Sequence, residues 1–199
     1  MSLPFYRFIR GFCRLVLQTF YGYRSIDSQN VPATGAVIVA CNHVSYFDPV
    51  ALGVGFTRPV TYLAKKQLFA IPVLGPIIAG LGAYPLDREA GGVAAVRAAL
   101  RALKEGRCVG IFPEGTRNLR GDAPEKGGAA LLAALSGAPV VPAAIAGTRG
   151  VRPFRSIRVI YGEPLRVTRQ RKADGDDLEK WTEEIMRRIR ALEESIGGN

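Results

Sequence analysis

The sequence predicts an α/β fold: a single domain with a mostly parallel or mixed sheet flanked by helices, plus an N-terminal amphipathic helix. Three observations lead there. Short apolar runs rich in β-branched residues alternate with segments of helical period from about residue 36 to residue 165, the pattern of strands covered on both faces by helices. The chain has 199 residues, 48% of them hydrophobic, with no internal repeat and no Pro/Ser-rich linker, which suits one domain with a sizeable core and excludes disorder. Residues 1–24 follow a different rule, large apolar side chains interleaved with arginines, and set the boundary between a helix at 1–24 and an α/β domain at 25–199.

The elements read in order. Leu3, Phe5, Tyr6, Phe8, Ile9, Phe12, Leu15, Val16, Leu17, Phe20 and Tyr21 alternate with Arg7, Arg10, Arg14 and Arg24. A basic helix so rich in large apolar groups suits a membrane interface, where arginines meet phosphates and aromatic rings sit near headgroups. The alternative is packing on the protein's own core, and both hold if two sides of the helix divide the work. Arginines interrupt the apolar stretch and no small-x-small site follows, so a signal peptide is not predicted. Ala36–Cys41 is a buried strand, and Asp48-Pro49 reads as an N-cap and first-turn proline opening a helix to about Phe56. Val60–Ala64 reads as a strand, Pro72–Leu81 as a short helix and Ala83–Leu86 as a strand. Val93, Val96, Leu100 and Leu103 mark a helix ended by Gly106 as its C′ glycine. A strand at 108–112, a helix at 129–135 stopped by Gly137 and a strand at 140–145 follow. Ile157, Val159 and Tyr161 alternate with more exposed positions, as in a strand nearer the sheet edge. Leu178, Trp181, Ile185, Ile189, Leu192 and Ile196 recur at helical spacing, with acids early and Arg187, Arg188 and Arg190 later, as the helix dipole favours. Residues 67–86 and 127–148 are uncharged, but prolines and glycines break the first and Ser136-Gly137-Ala138-Pro139 splits the second, so neither reads as a transmembrane helix. They read as buried core with lipid-facing loops.

Composition excludes several chemistries. His43 is the only histidine, and Cys13, Cys41 and Cys108 lie far apart with no C-x-x-C pair, so no metal site is expected. Three scattered cysteines do not make a disulfide framework and point to a reducing cytosol. The net charge of +10 is concentrated at residues 1–26, with four arginines and no acid, and at 149–172, with eight basic residues against Glu163. Such blocks attract anionic lipid, nucleic acid or an acidic protein, or form a solvated face. No zinc, helix-turn-helix or aromatic-glycine RNA signature accompanies them, so nucleic acid is not an expected partner.

Three polar clusters follow predicted strands, where α/β sheets hold ligands. In Asn42-His43-Val44-Ser45-Tyr46-Phe47-Asp48-Pro49, a tight strand-to-helix turn can return the Asp48 carboxylate to one nitrogen of His43 and leave the other as a general base. The plain alternative is a capping Asp48 and a structural His43. Gly82–Arg88 brings Arg88 to a strand end, and Phe112-Pro113-Glu114-Gly115-Thr116-Arg117-Asn118 brings Arg117 into a loop. Amides around Gly115 with Arg88 and Arg117 suit a phosphate, although each arginine alone is equally a surface ion-pair partner. Ser45 and Cys41 lie near His43, but neither sits in a G-x-S-x-G elbow, so no protein nucleophile is expected.

In this order, NHVSYFDP, GAYPLDR, FPEGTRN and Val141-Pro142-Ala143-Ala144-Ile145 resemble the four motifs of the glycerolipid acyltransferases, specifically the 1-acylglycerol-3-phosphate (lysophosphatidate) acyltransferase family with its His-x4-Asp motif. The resemblance covers about residues 20–165, and Lys65-Lys66-x-Leu68-Phe69 with Pro72 and Gly75 resembles the segment between the first two motifs. It implies acyl transfer from a thioester to the free hydroxyl of lysophosphatidate, giving phosphatidate. His43 would be the general base and Asp48 its partner. Lys65, Arg88, Glu114, Gly115, Thr116 and Arg117 would hold the glycerol phosphate, and Pro142 would shape the acyl or acceptor site. Tyr84-Pro85-Leu86 departs from the larger apolar residue and isoleucine common before the acid–arginine pair, a difference expected to act on acceptor or chain preference. No cofactor is implied. The co-substrate would be an acyl-CoA or acyl-carrier-protein thioester, the partners an anionic membrane surface and lysophosphatidate, and the location the cytoplasmic face of the cell membrane, peripheral or monotopic. Three rival readings are a hydrolase using the same base, acylation of another lysophospholipid or hydroxyl acceptor, and a non-enzymatic anionic-membrane-binding module.

Overall fold

The computed structural model describes residues 3–72, 74–80, 83–86, 91–115, 117–118, 125–150, 152–169 and 175–197. Six helices and seven strands occur among them: α1 Leu3–Tyr21, β1 Arg24–Ile26, β2 Val37–Cys41, α2 Asp48–Val54, β3 Val60–Lys65, α3 Leu74–Gly80, β4 Tyr84–Leu86, α4 Gly91–Lys104, β5 Cys108–Ile111, α5 Gly128–Ser136, β6 Val140–Ala146, β7 Arg158–Tyr161 and α6 Gly175–Ser195. Short 3-10 turns at Ser28–Asn30 and Lys66–Ala70 complete them.

The strands form one mixed sheet in the order β1-β7-β6-β2-β5-β3-β4. β4, β3, β5, β2 and β6 run parallel, β7 lies antiparallel to β6, and β1 follows β7 in parallel. β2 is central, and every residue from Val37 to Cys41 is buried. That two-sided burial explains why it reads as a continuous apolar run. On one face Val37, Val39, Cys41, Val141, Ala143 and Ile145 pack with Leu17 of α1 and Ala51, Leu52 and Val54 of α2. On the other, Ile38, Ala40, Val109 and Val140 pack beneath α4, α5 and α6. Small residues let α5 lie close to the sheet: Ala129, Ala130, Ala133 and Ala134 are buried, and Gly137 ends the helix in the left-handed region at φ 73°. Gly106 does the same after α4 at φ 70°.

Several expectations change in detail. β1 was not legible as a strand, because three residues beginning Arg24-Ser25 show no apolar run. α1 packs on the protein's own core along one side: Tyr6 and Leu17 are buried, and Tyr6 donates from its hydroxyl to Arg58 O at 3.2 Å while Arg10 Nε donates to Phe56 O at 2.7 Å. Its opposite side leaves Phe5, Phe8, Phe12, Leu15 and Phe20 exposed, so protein covers one side only. The uncharged stretch at 67–86 divides among a 3-10 turn, α3 and β4, and that at 127–148 between α5 and β6. Among the described residues no helix is long and apolar enough to cross a membrane.

Candidate active site

The site begins where β2 ends. Asn42 is buried, and its side chain pairs with the backbone of Ile145, accepting from Ile145 N at 2.8 Å and donating to Ile145 O at 3.0 Å. This extends the β2–β6 ladder by one side-chain rung past Cys41 and fixes where the next residue, His43, emerges. His43 Nδ1 lies 2.8 Å from Asp48 Oδ2, with 16% of the His43 side chain exposed and none of Asp48. The same Asp48 oxygen accepts the Val44 and Ser45 N–H groups at 2.7 Å each. An acceptor-only carboxylate requires the proton on Nδ1 of the neutral ring, so Nε2 carries the lone pair. Phe47, not Asp48, flanks α2, with no side-chain cap, and Asp48 is the first helical residue. The N-cap expectation therefore gives way: Asp48 turns back to organise the loop and the imidazole.

The second wall comes from β5 and the loop after it. Phe112 stacks on His43 with ring centroids 4.2 Å apart and planes 24° from parallel, and the Tyr62 ring of β3 lies nearly parallel to that of Phe112, with centroids 6.2 Å apart. Tyr62 is register partner to Gly110, where a Cβ would come within 2.3 Å of the tyrosine ring. Glycine at 110 thus admits the Tyr62 ring beside Phe112. Glu114 is buried and joins the two motifs: its Oε2 accepts the His43 N–H at 2.9 Å and its Oε1 accepts from Asn118 Nδ2 at 3.2 Å, while Asn118 N–H donates to His43 O at 2.6 Å. Burial raises the Glu114 carboxyl above its usual range, and the bonds from Asn118 and His43 oppose that shift.

α2 is anchored from behind by two buried tyrosines. The hydroxyl of Tyr23 donates to Ala51 O at 2.8 Å and that of Tyr161 to Leu52 O at 2.6 Å, satisfying carbonyls near the helix end. A Cβ at Gly55 would come within 2.0 Å of the Tyr161 oxygen, so glycine lets both tyrosines approach. Burial raises both phenols far above their ordinary range, which keeps them protonated as donors.

The predicted residues fall unevenly about this centre. His43, Asp48 and Glu114 come together, and Gly115 follows in a turn closed by Gly115 N–H to Phe112 O at 2.9 Å, with φ 68°. Arg117 is exposed, its guanidinium 3.8 Å from the ring centroid of the exposed Tyr46, a cation–π contact. Lys65 closes β3. Arg88 and Thr116 lie outside the described residues. Pro142 does not join the cluster: it is buried in β6, and both its Cγ and Leu192 Cδ1 of α6 lie 3.0 Å from where a Cβ on Gly162 would sit. β-strand alternation sets it on the face away from α2, packed under α6. Cys41 is wholly buried, its thiol pushed well up by desolvation and then by the Asp48 charge, so it is no thiolate nucleophile. Ser45 Oγ accepts the Phe47 N–H at 3.2 Å within the turn. Sequence reasoning missed the positioning parts, Asn42, Gly110, Phe112 and Asn118, although Asn42, Phe112 and Asn118 lie inside the quoted motifs. It also missed Lys126, whose Nζ would lie 2.9 Å from a Cβ at Gly115 and whose N–H donates to Pro113 O at 2.9 Å. No motif signals that cation beside the loop.

Comparison with known proteins bears on the chemistry. The family model described as Acyltransferase matches residues 23–146. A 1-acyl-sn-glycerol-3-phosphate acyltransferase of Bacillus subtilis is 34% identical over 196 residues, covering 96% of this chain and 98% of its own. One from Streptococcus pneumoniae is 28% identical over 199 residues, covering 96% of this chain and 74% of its own. The crystal structure of the 1-acyl-sn-glycerophosphate (LPA) acyltransferase PlsC from Thermotoga maritima superposes with a TM-score of 0.76 at 28% identity, covering 96% of this chain and 80% of that one. With the family model matched over residues 23–146 and a relative 34% identical along nearly the whole of both chains, the chain belongs to the 1-acylglycerol-3-phosphate acyltransferase family and is an O-acyltransferase.

Proposed function

We propose that the protein transfers an acyl group from a thioester to the free hydroxyl of 1-acylglycerol-3-phosphate, giving phosphatidate in phospholipid synthesis, with His43 as the general base. The observation that carries the role of His43 is its pairing with Asp48, 2.8 Å from Nδ1 to Oδ2. With Nδ1 engaged, Nε2 takes the acceptor's hydroxyl proton as its oxygen attacks the thioester carbonyl. The tetrahedral intermediate then expels the thiolate, which recovers a proton from the imidazolium. Buried Asp48 stabilises that cation and holds the ring through the cycle. Direct attack by the acceptor needs no protein nucleophile, in keeping with the buried, protonated Cys41. Arg117 is suited to the acceptor's phosphate, with Lys65, Arg88, Gly115 and Thr116 assigned to it by the family resemblance. Glu114 serves that site indirectly, as the clamp between the His43 backbone and the loop.

The outward face of α1 supports a peripheral or monotopic place at an anionic membrane surface, and the cytoplasmic face of the cell membrane is part of the proposal. Phe8, Phe12 and Leu15 are 70%, 58% and 63% exposed along one side of the helix, with arginines flanking them. The test is an assay of the purified protein with lysophosphatidate against both acyl-CoA and acyl-carrier-protein donors. Phosphatidate formed only when the acceptor is present is the expected result. Thioester hydrolysis at the same rate without acceptor contradicts the reading and favours a hydrolase.

A further inference from the structure

The basic stretch that begins at Arg149 has no place in acyl transfer as derived above. Its first part connects β6 to β7 and contains Arg149, Arg152 and Arg155 with no acid between Gly147 and Ile157. Residues 152–155 form a turn in which Arg155 N–H donates to Arg152 O at 3.2 Å. Pro153 holds the second position and Phe154 the third, with Phe154 at φ 69°. Proline followed by a positive φ is the pattern of a type II turn, whose third position favours glycine. Among the described residues the other non-glycine residue with positive φ is Asp27, a type that tolerates it far better than a phenylalanine. The Phe154 side chain is also 87% exposed, more than any other large hydrophobic among the described residues. A bulky aromatic group thus occupies a strained position while burying almost nothing, which no term in the folding of this chain explains.

The turn is firmly placed. Phe154 N–H donates to Phe20 O at 2.7 Å and Ile157 N–H to Tyr21 O at 2.9 Å, fastening it to the last turn of α1. Phe20 is itself 49% exposed, at the end of the helix whose outward side carries Phe8, Phe12 and Leu15. The β7 residue Arg158 pairs with Ala146, the last residue of β6, so the turn stands at the same end of the sheet from which His43 emerges.

We propose that the Arg152–Arg155 turn is a second contact with an anionic lipid surface. Phe154 enters the headgroup–acyl boundary while Arg152 and Arg155 meet lipid phosphates. The proposal rests on the membrane reading of α1 and deepens it. Because α1 is fixed to the domain, contact through α1 alone leaves the whole molecule free to rock about the helix axis on the surface; a wedge fixed beside its C-terminal end limits that rocking and keeps the His43 end of the sheet turned to the lipid. Charge favours lipid phosphates, and continuity with the exposed side of α1 favours a lipid surface over a lone acidic protein.

The test uses tryptophan fluorescence in a Trp181→Phe background, which removes the natural tryptophan. Phe154→Trp and, separately, Phe8→Trp are titrated with phosphatidylcholine vesicles with and without phosphatidylglycerol. A blue shift at both positions with anionic vesicles is expected. A shift at position 8 without one at 154 overturns this proposal and leaves the reading of α1 intact; a shift at 154 alone removes α1 and retains the wedge; no shift at either overturns both. In the wild-type background, Phe154→Gly is expected to weaken vesicle partitioning by roughly 5- to 10-fold with the Tm unchanged or raised, a combination that a merely structural phenylalanine would not give. Arg152→Gln with Arg155→Gln is expected to weaken binding to anionic vesicles by about fivefold per charge. Unchanged partitioning with loss of acyl-carrier-dependent turnover would assign the turn to an acidic protein donor and overturn the lipid proposal.

Discussion

Asp48 concentrates its hydrogen bonding on one oxygen. Oδ2 receives His43 Nδ1 and the Val44 and Ser45 amides, while Oδ1 is buried with no partner among the described residues. An asparagine there cannot satisfy those donors and carry charge opposite an imidazolium as well. Asp48→Asn is therefore expected to lower kcat by on the order of 10²–10⁴-fold with a smaller change in KM; an equal loss confined to KM would place Asp48 in binding instead. Glu114 offers a pH test. Its carboxyl is raised in the folded state, chiefly by desolvation. The folded protein then holds that proton more tightly than the unfolded chain, so the stability it contributes is complete below the unfolded value and is lost as pH rises through the folded value. Glu114→Gln removes this titration. Unfolding free energy of wild type relative to Glu114→Gln, measured by urea denaturation, is expected to fall as pH rises from the ordinary carboxylate range; a flat difference contradicts the burial argument. The quoted motifs exposed the charged residues of this centre but not Gly110, whose role depends on cross-strand register with Tyr62, a relation between residues 48 positions apart that no local pattern carries.

α2 shows how much an element's placement depends on distant side chains. Its seven residues are too few to hold themselves, and the Tyr23 and Tyr161 hydroxyls bond to its Ala51 and Leu52 carbonyls. The paired change Tyr23→Phe and Tyr161→Phe leaves those carbonyls without their side-chain donors at roughly 1–3 kcal/mol per bond. A lower Tm together with reduced kcat is the expected outcome, because Asp48 rides on the first turn of this helix; a Tm loss with unchanged kcat would show that the turn residues alone hold Asp48. Elements buried on two faces were legible. β2 and β6 are short apolar runs because sheet neighbours and helices cover them completely, β5 is covered except at half-buried Ile111, and the predicted limits of all three differ from the observed ones by about a residue. β1 was not legible, since its pairing with β7 is all that makes Arg24–Ile26 a strand. The N-cap reading of Asp48 failed for a related reason: a carboxylate at a helix start serves either helix amides or loop amides, and the folded loop decides which.

The charge distribution of the whole molecule was legible as blocks, and the fold gives those blocks direction. α1 keeps Leu17 in the core and turns its phenylalanines outward, and the C-terminal end of α1 meets the Arg152–Arg155 turn at the end of the sheet where His43 stands. Arg58 shows why charge counting alone could not assign every cation: its guanidinium donates to the carbonyls of Pro32, Gly35 and Gly106 and ties loops together. Pro142 shows the same limit for a motif, since its sequence position suggested the site while strand alternation set it under α6. The arrangement proposed for catalysis is a single imidazole on a carboxylate, walled by Phe112 and braced by Glu114. Phosphatidate formation from lysophosphatidate and an acyl thioester by His43→Ala, measured beside its Tm, tests that arrangement most directly. Loss of at least about 10²-fold in kcat with the Tm essentially retained is the predicted result. Near-normal turnover by the folded variant would contradict it.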